Sequence, residues 1–142
     1  MDTNKVAILL KKASLAAERV QGPILQGHGL TVSQYKILKY LYAAPEDSVR
    51  LVDLEEFYSM THPAVIDVIK VLEKKGYCRR IPNPADARSK IVSLTDKAHA
   101  EQSELEALGD EMEEAVTANL GAAERVQLAS LLLKLMGDQI GG

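Results

Sequence analysis

The sequence predicts a mainly α fold of the α+β type, with helices along most of the chain and one β-hairpin in its second half. Apolar residues recur at intervals of three and four over most of the 142 residues, which is the pattern of amphipathic helices. Two short helical patterns meet at Ser59-Met60, and Gly76 ends the second one. Two β-prone runs, 77–81 and 91–94, then flank a tip rich in Pro, Asp and Arg. This length suits a single domain with a real core.

The first helical pattern covers residues 3–21, and the sequence predicts that Gly22-Pro23 breaks it. Apolar residues form one regular stripe along this helix. Such a stripe near the start of a chain must pack on something. The partner is either the rest of the same domain or a second subunit.

A second helix is predicted from Val32 to Ala43. Thr31 and Gln34 have the spacing of a capping box, and Pro45 ends the helix. Gly27-His28-Gly29 is the flexible joint before it.

Tyrosines are concentrated in this second helix. Tyr35 and Tyr42 are candidates to line a ligand pocket, with His28 in the neighbouring loop. Side chains of this kind are more often plain core or surface residues, so both interpretations stand at this stage.

A short helix is predicted from Leu51 to Tyr58, bracing the helix that follows. Leu51 and Leu54 are expected to point inward. Phe57 is the only phenylalanine of the chain, and we expect it in the core.

The next helix is the most informative element. Thr61 or His62 caps it, and Pro63 suits its first turn, where a missing N–H costs nothing. Its apolar face contains Val65, Val68, Ile69 and Leu72. The remaining side chains lie near or on the opposite side: His62, Pro63, Ala64, Asp67, Lys70, Val71 and Lys74. Helix, turn, helix and hairpin in this order describe a winged helix-turn-helix, which places one helix in the DNA major groove. The alternative is an ordinary solvated helix face.

The segment from residue 70 through the hairpin carries a concentrated positive charge. Pro82-Asn83-Pro84 is expected to force a loop. Asp86 stands two residues before Arg88 and can hold that arginine extended, a shape suited to a narrow minor groove. From residue 70 to 90, seven basic residues stand against two acids, a balance of +5 in a chain whose net charge is −3. This surplus favours phosphate binding over a merely solvated basic hairpin.

Cys78 lies in the first strand of this hairpin and is the only cysteine of the chain. It is either a redox switch, activated by nearby arginines, or a small buried hydrophobic residue. The second interpretation is favoured because the chain contains no partner cysteine.

Two helices complete the chain. Thr95 is predicted to cap a helix from Asp96 to about Asn119, with an acidic face and a sparse apolar stripe. The last helix, from Ala122 to about Met136, is apolar on more than one face. With the first helix it is expected to form a dimer interface, and the alternative is that it folds back on its own domain.

The residues of the hairpin also carry a family resemblance. LEKKGY, followed by RRIPNPADARSKIVSLT, resembles the multiple-antibiotic-resistance regulator (MarR) family of bacterial transcription factors. The resemblance implies a homodimer that binds a palindromic operator, usually as a repressor. In this family, a small aromatic or anionic effector, or thiol oxidation, often triggers release of the DNA. The resemblance further implies that Arg88 enters the minor groove beside Asp86, and that residues 61–70 form the recognition helix.

Three departures from the family pattern bear on operator sequence and affinity. Many members carry a basic residue at the position of Asp67, where an acid would either repel phosphate or accept a hydrogen bond from a cytosine amino group. Pro63 and Ala64 replace small hydroxyl residues. Ala87 stands where many members have arginine.

These observations predict one domain over 1–142, with a winged helix-turn-helix lobe at 30–95 and a helical dimerisation region at 3–21 and 96–140. The predicted DNA-binding residues are Ser59, Thr61, His62, Pro63, Ala64, Asp67, Lys70, Lys74, Lys75, Asp86, Arg88, Ser89 and Lys90. The predicted partners are double-stranded DNA, a second copy of the chain and a small effector. The alternative is a helical dimerisation or adaptor protein with no specific DNA target.

Other functional classes find no support in the sequence. It contains no Gly-rich phosphate loop, nucleophile elbow or His-Glu-x-x-His motif, so no enzyme activity and no cofactor are predicted. The three histidines are far apart, so no metal site is predicted. The single cysteine suits a reducing cytoplasm, and no leader or membrane-spanning run is visible.

Overall fold

Six helices and one two-stranded antiparallel sheet follow each other along residues 3–137, the part of the chain that this computed structural model describes. The last three residues of the predicted 96–140 region therefore lie outside the described part. The elements are α1 (Val6–Gln26), α2 (Val32–Ala43), α3 (Leu51–Tyr58), α4 (His62–Lys74), β1 (Cys78–Asn83), β2 (Asp86–Leu94), α5 (Asp96–Val116) and α6 (Ala122–Met136). The fold is thus mainly helical with one hairpin, as predicted.

Helix α1 continues through Pro23, so the predicted break at Gly22-Pro23 is wrong. A proline inside a helix removes one backbone hydrogen bond. Leu25, the residue before the last one of the helix, is fully buried in the core, and Ile24 packs against that core. This packing accounts for the extra helical turn. The Leu30 N–H then donates to the Leu25 carbonyl oxygen and closes the joint.

Helix α2 begins and ends where the sequence predicts. The Thr31 side chain accepts from the Gln34 N–H, and the Gln34 side chain accepts from the Thr31 N–H. These bonds satisfy donors that a helix start otherwise leaves free. Ile37, Leu38 and Leu41 turn into the core.

Helix α3 has the predicted bounds, but the predicted core position of Phe57 is wrong. Phe57 is 61% exposed, whereas Leu54 is fully buried. Only the face of this two-turn helix that carries Leu54 meets the core. Phe57 instead packs edge to face on Tyr40 and Tyr58 at the surface, with ring centroids 5.0 and 4.9 Å apart.

The hairpin strands are longer than predicted, because β1 runs through Pro82 to Asn83. Pro82 pairs with Lys90, and the register shifts at the next residue. A proline is tolerated here because a two-stranded sheet consists only of edge strands. The turn is confined to residues 84–85.

A short contact joins the start of α3 to this hairpin. Arg50 forms an isolated antiparallel bridge with Ile91, and the Val92 N–H donates to the Val49 carbonyl oxygen at 2.9 Å. The hairpin is therefore held against the helix-turn-helix by backbone hydrogen bonds.

Helix α5 connects the hairpin to the terminal helices. The Thr95 side chain caps it by accepting from the Ala98 N–H, as predicted. Its predicted apolar stripe is buried at Ala98, Leu105, Leu108 and Met112. The helix also packs along α1.

Helix α6 contributes no buried residue within the single chain. Val126 is 71% exposed and Leu131 56% exposed. Its apolar side chains therefore remain uncovered by the described part of the chain. No helix within residues 3–137 is both long enough and apolar enough to cross a membrane.

Helices α2 and α5 approach each other closely at Gly109. A Cβ atom at this position would overlap the hydroxyl oxygen of Tyr35, and the ring carbon behind it would lie 3.5 Å away. The Tyr35 hydroxyl can therefore occupy this position only because Gly109 has no side chain.

We expect Gly109→Ala to lower the free energy of unfolding by about 1–3 kcal/mol, because the new methyl group overpacks this contact. Urea denaturation of the purified protein measures the change. Gly22→Ala is the matched control, since no atom lies within 4 Å of a Cβ there. Adding Tyr35→Phe should recover most of the loss. An equal loss with and without the hydroxyl would contradict this explanation.

Candidate nucleic-acid interface

Helix α4 presents a polar face to solvent because its opposite face is anchored in the core. Val65, Ile69 and Leu72 are fully buried. The Thr61 hydroxyl oxygen accepts from the Ala64 N–H at 3.3 Å and starts the helix, as predicted. The exposed residues of this helix are His62, Pro63, Asp67, Lys70, Val71 and Lys74.

The turn before α4 is tight. Ser59 has φ +52° and ψ +44°, the left-handed conformation that ends α3. His62, at the start of α4, places Nδ1 2.9 Å from a carboxylate oxygen of Glu55 in α3. This pair ties the two helices together beside the exposed face.

The tip of the hairpin projects Arg88 into solvent. Its side chain is 93% exposed. One carboxylate oxygen of Asp86 accepts from the Arg88 N–H at 3.0 Å and lies 3.5 Å from Arg88 Nε. The amide of Asn83 donates to the Ser89 hydroxyl at 2.8 Å and accepts from the Ala85 N–H. These bonds order the tip and leave the guanidinium of Arg88 free to reach a ligand.

Two of the basic residues counted in the sequence are used within the chain. Lys75 donates to the Gly29 carbonyl oxygen and to the Gln34 side chain, so it faces the α1–α2 joint and is set apart from the other predicted DNA-binding residues. Arg80 forms an ion pair of 2.9 Å with Glu73. The cations available to a polyanion are therefore fewer than the seven counted in the sequence.

An open cleft of about 410 Å³ lies between the start of α4 and the hairpin. Its lining combines basic groups with a small apolar floor: Arg50, Leu51, Val52, Glu55, His62, Ile66, Arg80, Arg88, Ser89 and Lys90. Of the predicted residues, His62, Arg88, Ser89 and Lys90 meet here. Such a cleft, positively charged and flanked by an exposed helix, is suited to a polyanionic ligand.

Arg50 is a candidate functional residue that sequence reasoning missed. Its guanidinium donates to both carboxylate oxygens of Asp53, at 2.8 and 3.3 Å. These hydrogen bonds lower the pKa of Asp53 below its usual value. The available signal was a basic residue directly before α3 with an acid three residues later, the spacing of a capping pair.

The predicted pocket residues are only partly brought together. Tyr35 and Tyr42 flank a cleft of about 150 Å³ between α2 and α5, together with Lys39, Ala43, Leu105 and Glu106. Burial raises the pKa of Tyr42 to about 12, and its hydroxyl donates to the Ala98 carbonyl oxygen at 2.5 Å. His28 does not line this cleft. Its ring lies 3.3 Å from Glu104 of α5.

The histidines do not form a metal site in the described chain. Each lies near a glutamate, and His99 is the loosest case, 3.9 Å from Glu46. Within residues 3–137, no group of three or more histidine, cysteine, aspartate or glutamate side chains is placed to hold a metal ion.

Comparison with known proteins places this geometry among DNA-binding regulators. Residues 30–90 match the model of the MarR family. A mutant MarR from E. coli complexed with operator DNA superposes with a TM-score of 0.81 at 27% identity, over 93% of this chain and 94% of that one. A probable transcriptional regulator from Pseudomonas aeruginosa gives 0.82 at 26% identity, over 93% and 97%. The S. aureus MepR–DNA complex gives 0.79 at 25% identity, over 93% and 96%.

Cys78 is buried, as the favoured interpretation predicts. Burial, together with the charge of Glu73, raises the pKa of its thiol to about 12. The thiolate is the reactive form of cysteine, so this environment opposes oxidation.

We expect Cys78 to react with a disulfide reagent at pH 8 roughly a thousandfold more slowly in the folded protein than in denaturant, because the unburied thiol has a pKa of 9.0. The contribution of the Cys78 thiol to the free energy of unfolding is fully present below pH 9 and is lost as the pH rises towards 12. In that window the thiol ionises only in the unfolded chain. Absorbance of the released reagent anion measures the rate. Equal rates in both states would contradict the burial argument.

Proposed function

Because the chain belongs to the MarR family of transcription regulators, we propose that it binds a palindromic operator in duplex DNA as a homodimer and acts as a repressor. The observation that carries this proposal is the exposed face of α4 beside a basic cleft, with Arg88 projecting from the hairpin tip. A helix of this kind fits the major groove, and an extended arginine fits the adjacent minor groove.

The predicted residues at the start of α4 then position this helix in the groove. Ser59 shapes the turn, and Thr61, His62, Pro63 and Ala64 bring the first turn of α4 close to base edges. Small side chains there permit a close approach.

We propose that the basic side chains of this surface bind the phosphate backbone of DNA. Lys70, Lys74 and Lys90 are exposed and contact phosphates, with Ser89 beside them. Arg50 joins this set because it lines the basic cleft together with Ser89 and Lys90, and because Asp53 holds its guanidinium in place. Phosphate contacts of this type position the protein without reading sequence.

The dimer proposal rests on the uncovered apolar surfaces of α1 and α6. Val6, Leu9, Val126 and Leu131 are exposed large hydrophobic residues near the two ends of the chain. Burial of such surface against a second copy is favourable.

A symmetric dimer would place two α4 helices about one DNA turn apart, roughly 34 Å. In this arrangement the lobe at 30–95 binds DNA, and the helices outside it form the dimer base.

We place the effector site in the cleft between α2 and α5. Tyr35 and Tyr42 offer ring surface there, and Lys39 offers a cation, which suits a small aromatic or anionic molecule. His28 contributes indirectly, because its ring connects the α1–α2 joint to Glu104 of α5. An effector in this position releases DNA only if it binds one spacing of the two lobes better than another.

Selection from random duplex DNA tests the function. We expect enrichment of an inverted repeat with half-sites about one turn apart, and an affinity that falls steeply as salt is raised. Sequencing of bound duplexes and binding at several salt concentrations supply both readouts. Salt-dependent binding with no enriched motif would contradict sequence specificity. No binding at low salt would favour the adaptor alternative.

Replacing Arg88 tests the hairpin contact. We expect Arg88→Ala to weaken operator binding by about 1–3 kcal/mol, because the minor-groove contact is lost. Fluorescence anisotropy with a labelled operator measures it. Arg79→Ala is the matched control, since Arg79 is exposed on the same hairpin but lies outside the cleft. Equal effects of the two substitutions would exclude a specific role for Arg88.

A further inference from the structure

Asp67 stands in the middle of the exposed face of α4. It is the sixth residue of this helix. Pro63, Lys70 and Lys74 lie four before, three after and seven after it, so all four side chains share one stripe of the helix. The buried residues of α4 lie on the opposite side. If α4 enters the major groove, as proposed above, Asp67 faces the base edges.

The carboxylate of Asp67 makes no contact that stabilises the described part of the chain. It is exposed, and it takes part in none of the ion pairs or hydrogen bonds described among residues 3–137. An acid in the first turn of a helix interacts favourably with the helix dipole. Asp67 lies beyond the first turn of α4 and therefore does not have this role. Lys70, three residues later, is likewise not paired with it.

An acid at this place is costly unless it finds a donor. Near DNA it approaches phosphates of the same charge and loses water, and a desolvated carboxylate without a hydrogen bond is strongly unfavourable. Binding is therefore favoured only by a base that offers a hydrogen-bond donor to the carboxylate. Bases that present acceptors there are rejected.

The major-groove edges distinguish the four bases for such a group. Guanine presents two acceptors and thymine presents one acceptor and a methyl group, so both repel a carboxylate. Adenine presents an amino donor next to the N7 acceptor, which opposes the second carboxylate oxygen. Cytosine presents its amino donor with no acceptor beside it in the groove.

We propose that Asp67 is a specificity-determining residue that selects cytosine at one position of each operator half-site by accepting a hydrogen bond from its amino group. This inference rests on the proposed function, because it requires α4 to lie in the major groove. On this proposal, the acidic Asp67 within a positively charged interface disfavours adenine, guanine and thymine at that position.

The test is selection from random duplex DNA with four full-length proteins: wild type, Asp67→Asn, Asp67→Ala and the control Asp110→Asn. Asp110 is an exposed carboxylate of α5, outside α4 and the basic cleft, so the control matches the change in charge. Wild type and Asp110→Asn should enrich cytosine at one position of each half-site by on the order of tenfold. Asp67→Asn should move that preference to adenine, whose N6 and N7 match an amide. Asp67→Ala should lose the preference at that position alone.

The outcomes separate the two proposals. An inverted repeat that is identical for all four proteins would overturn the role of Asp67 and leave the operator function standing. A uniform gain of affinity in both Asp67 variants without a change of motif would also overturn it, because repulsion of phosphate alone would then explain the acid. Failure of wild type to enrich any motif would instead overturn the proposed function. Circular dichroism spectra and dimer mass, unchanged among the variants, exclude misfolding as the cause.

Discussion

The burial of one face of α4 is the constraint on which the rest of the structure depends. Val65, Ile69 and Leu72 are fully buried, so the rotation of this helix about its own axis is set by the core. A rotation that exposed these side chains would cost several kcal/mol of apolar burial. The opposite stripe, with Asp67 and Lys70, is consequently held at the surface whether or not DNA is present. Such preorganisation limits the ordering cost of binding.

The hairpin is held in a definite position relative to that helix by contacts from three directions. Glu73, near the end of α4, pairs with Arg80 of β1. Backbone bonds from the 49–50 segment hold β2. The Thr95 N–H donates to the Tyr77 carbonyl oxygen at 3.0 Å and closes the base of the hairpin. Most of these contacts use backbone groups, whose positions vary less than those of long side chains. Arg88 therefore projects from a supported base, and its side chain is exposed beside Asp86.

Helix α5 connects the DNA-facing lobe to the surfaces that we assign to dimerisation. Tyr77 donates to Glu101 at 2.9 Å, and Tyr42 donates to the Ala98 carbonyl oxygen. Gly109 lets the Tyr35 hydroxyl lie directly against the same helix. A molecule that separated α2 from α5 would have to break or rearrange the contacts of Tyr42 and Tyr35 with α5. In the proposed dimer, this arrangement would connect the cleft between α2 and α5 to the spacing of the two α4 helices.

Local features of the chain were readable from the sequence because they depend on neighbouring residues. The caps at Thr31, Thr61 and Thr95 and the bounds of α2, α3 and α6 follow from turn chemistry and periodicity over a few positions. The Asp86–Arg88 pair of the hairpin tip is equally local. The family resemblance of the hairpin residues was visible for the same reason.

Only the tertiary structure decided the features that depend on residues far apart in the chain. The burial of Leu25 carries α1 past Pro23, and pairing with Lys90 keeps Pro82 in a strand. Phe57 lies outside because Leu54 takes the core position of its short helix. Long-range partners also decide which charges face outward: Gly29 and Gln34 hold Lys75 away from the cleft, whereas the fold adds Arg50 to its lining. Composition and spacing contain no information on such pairings, because the chain must close loops of many residues before those groups meet.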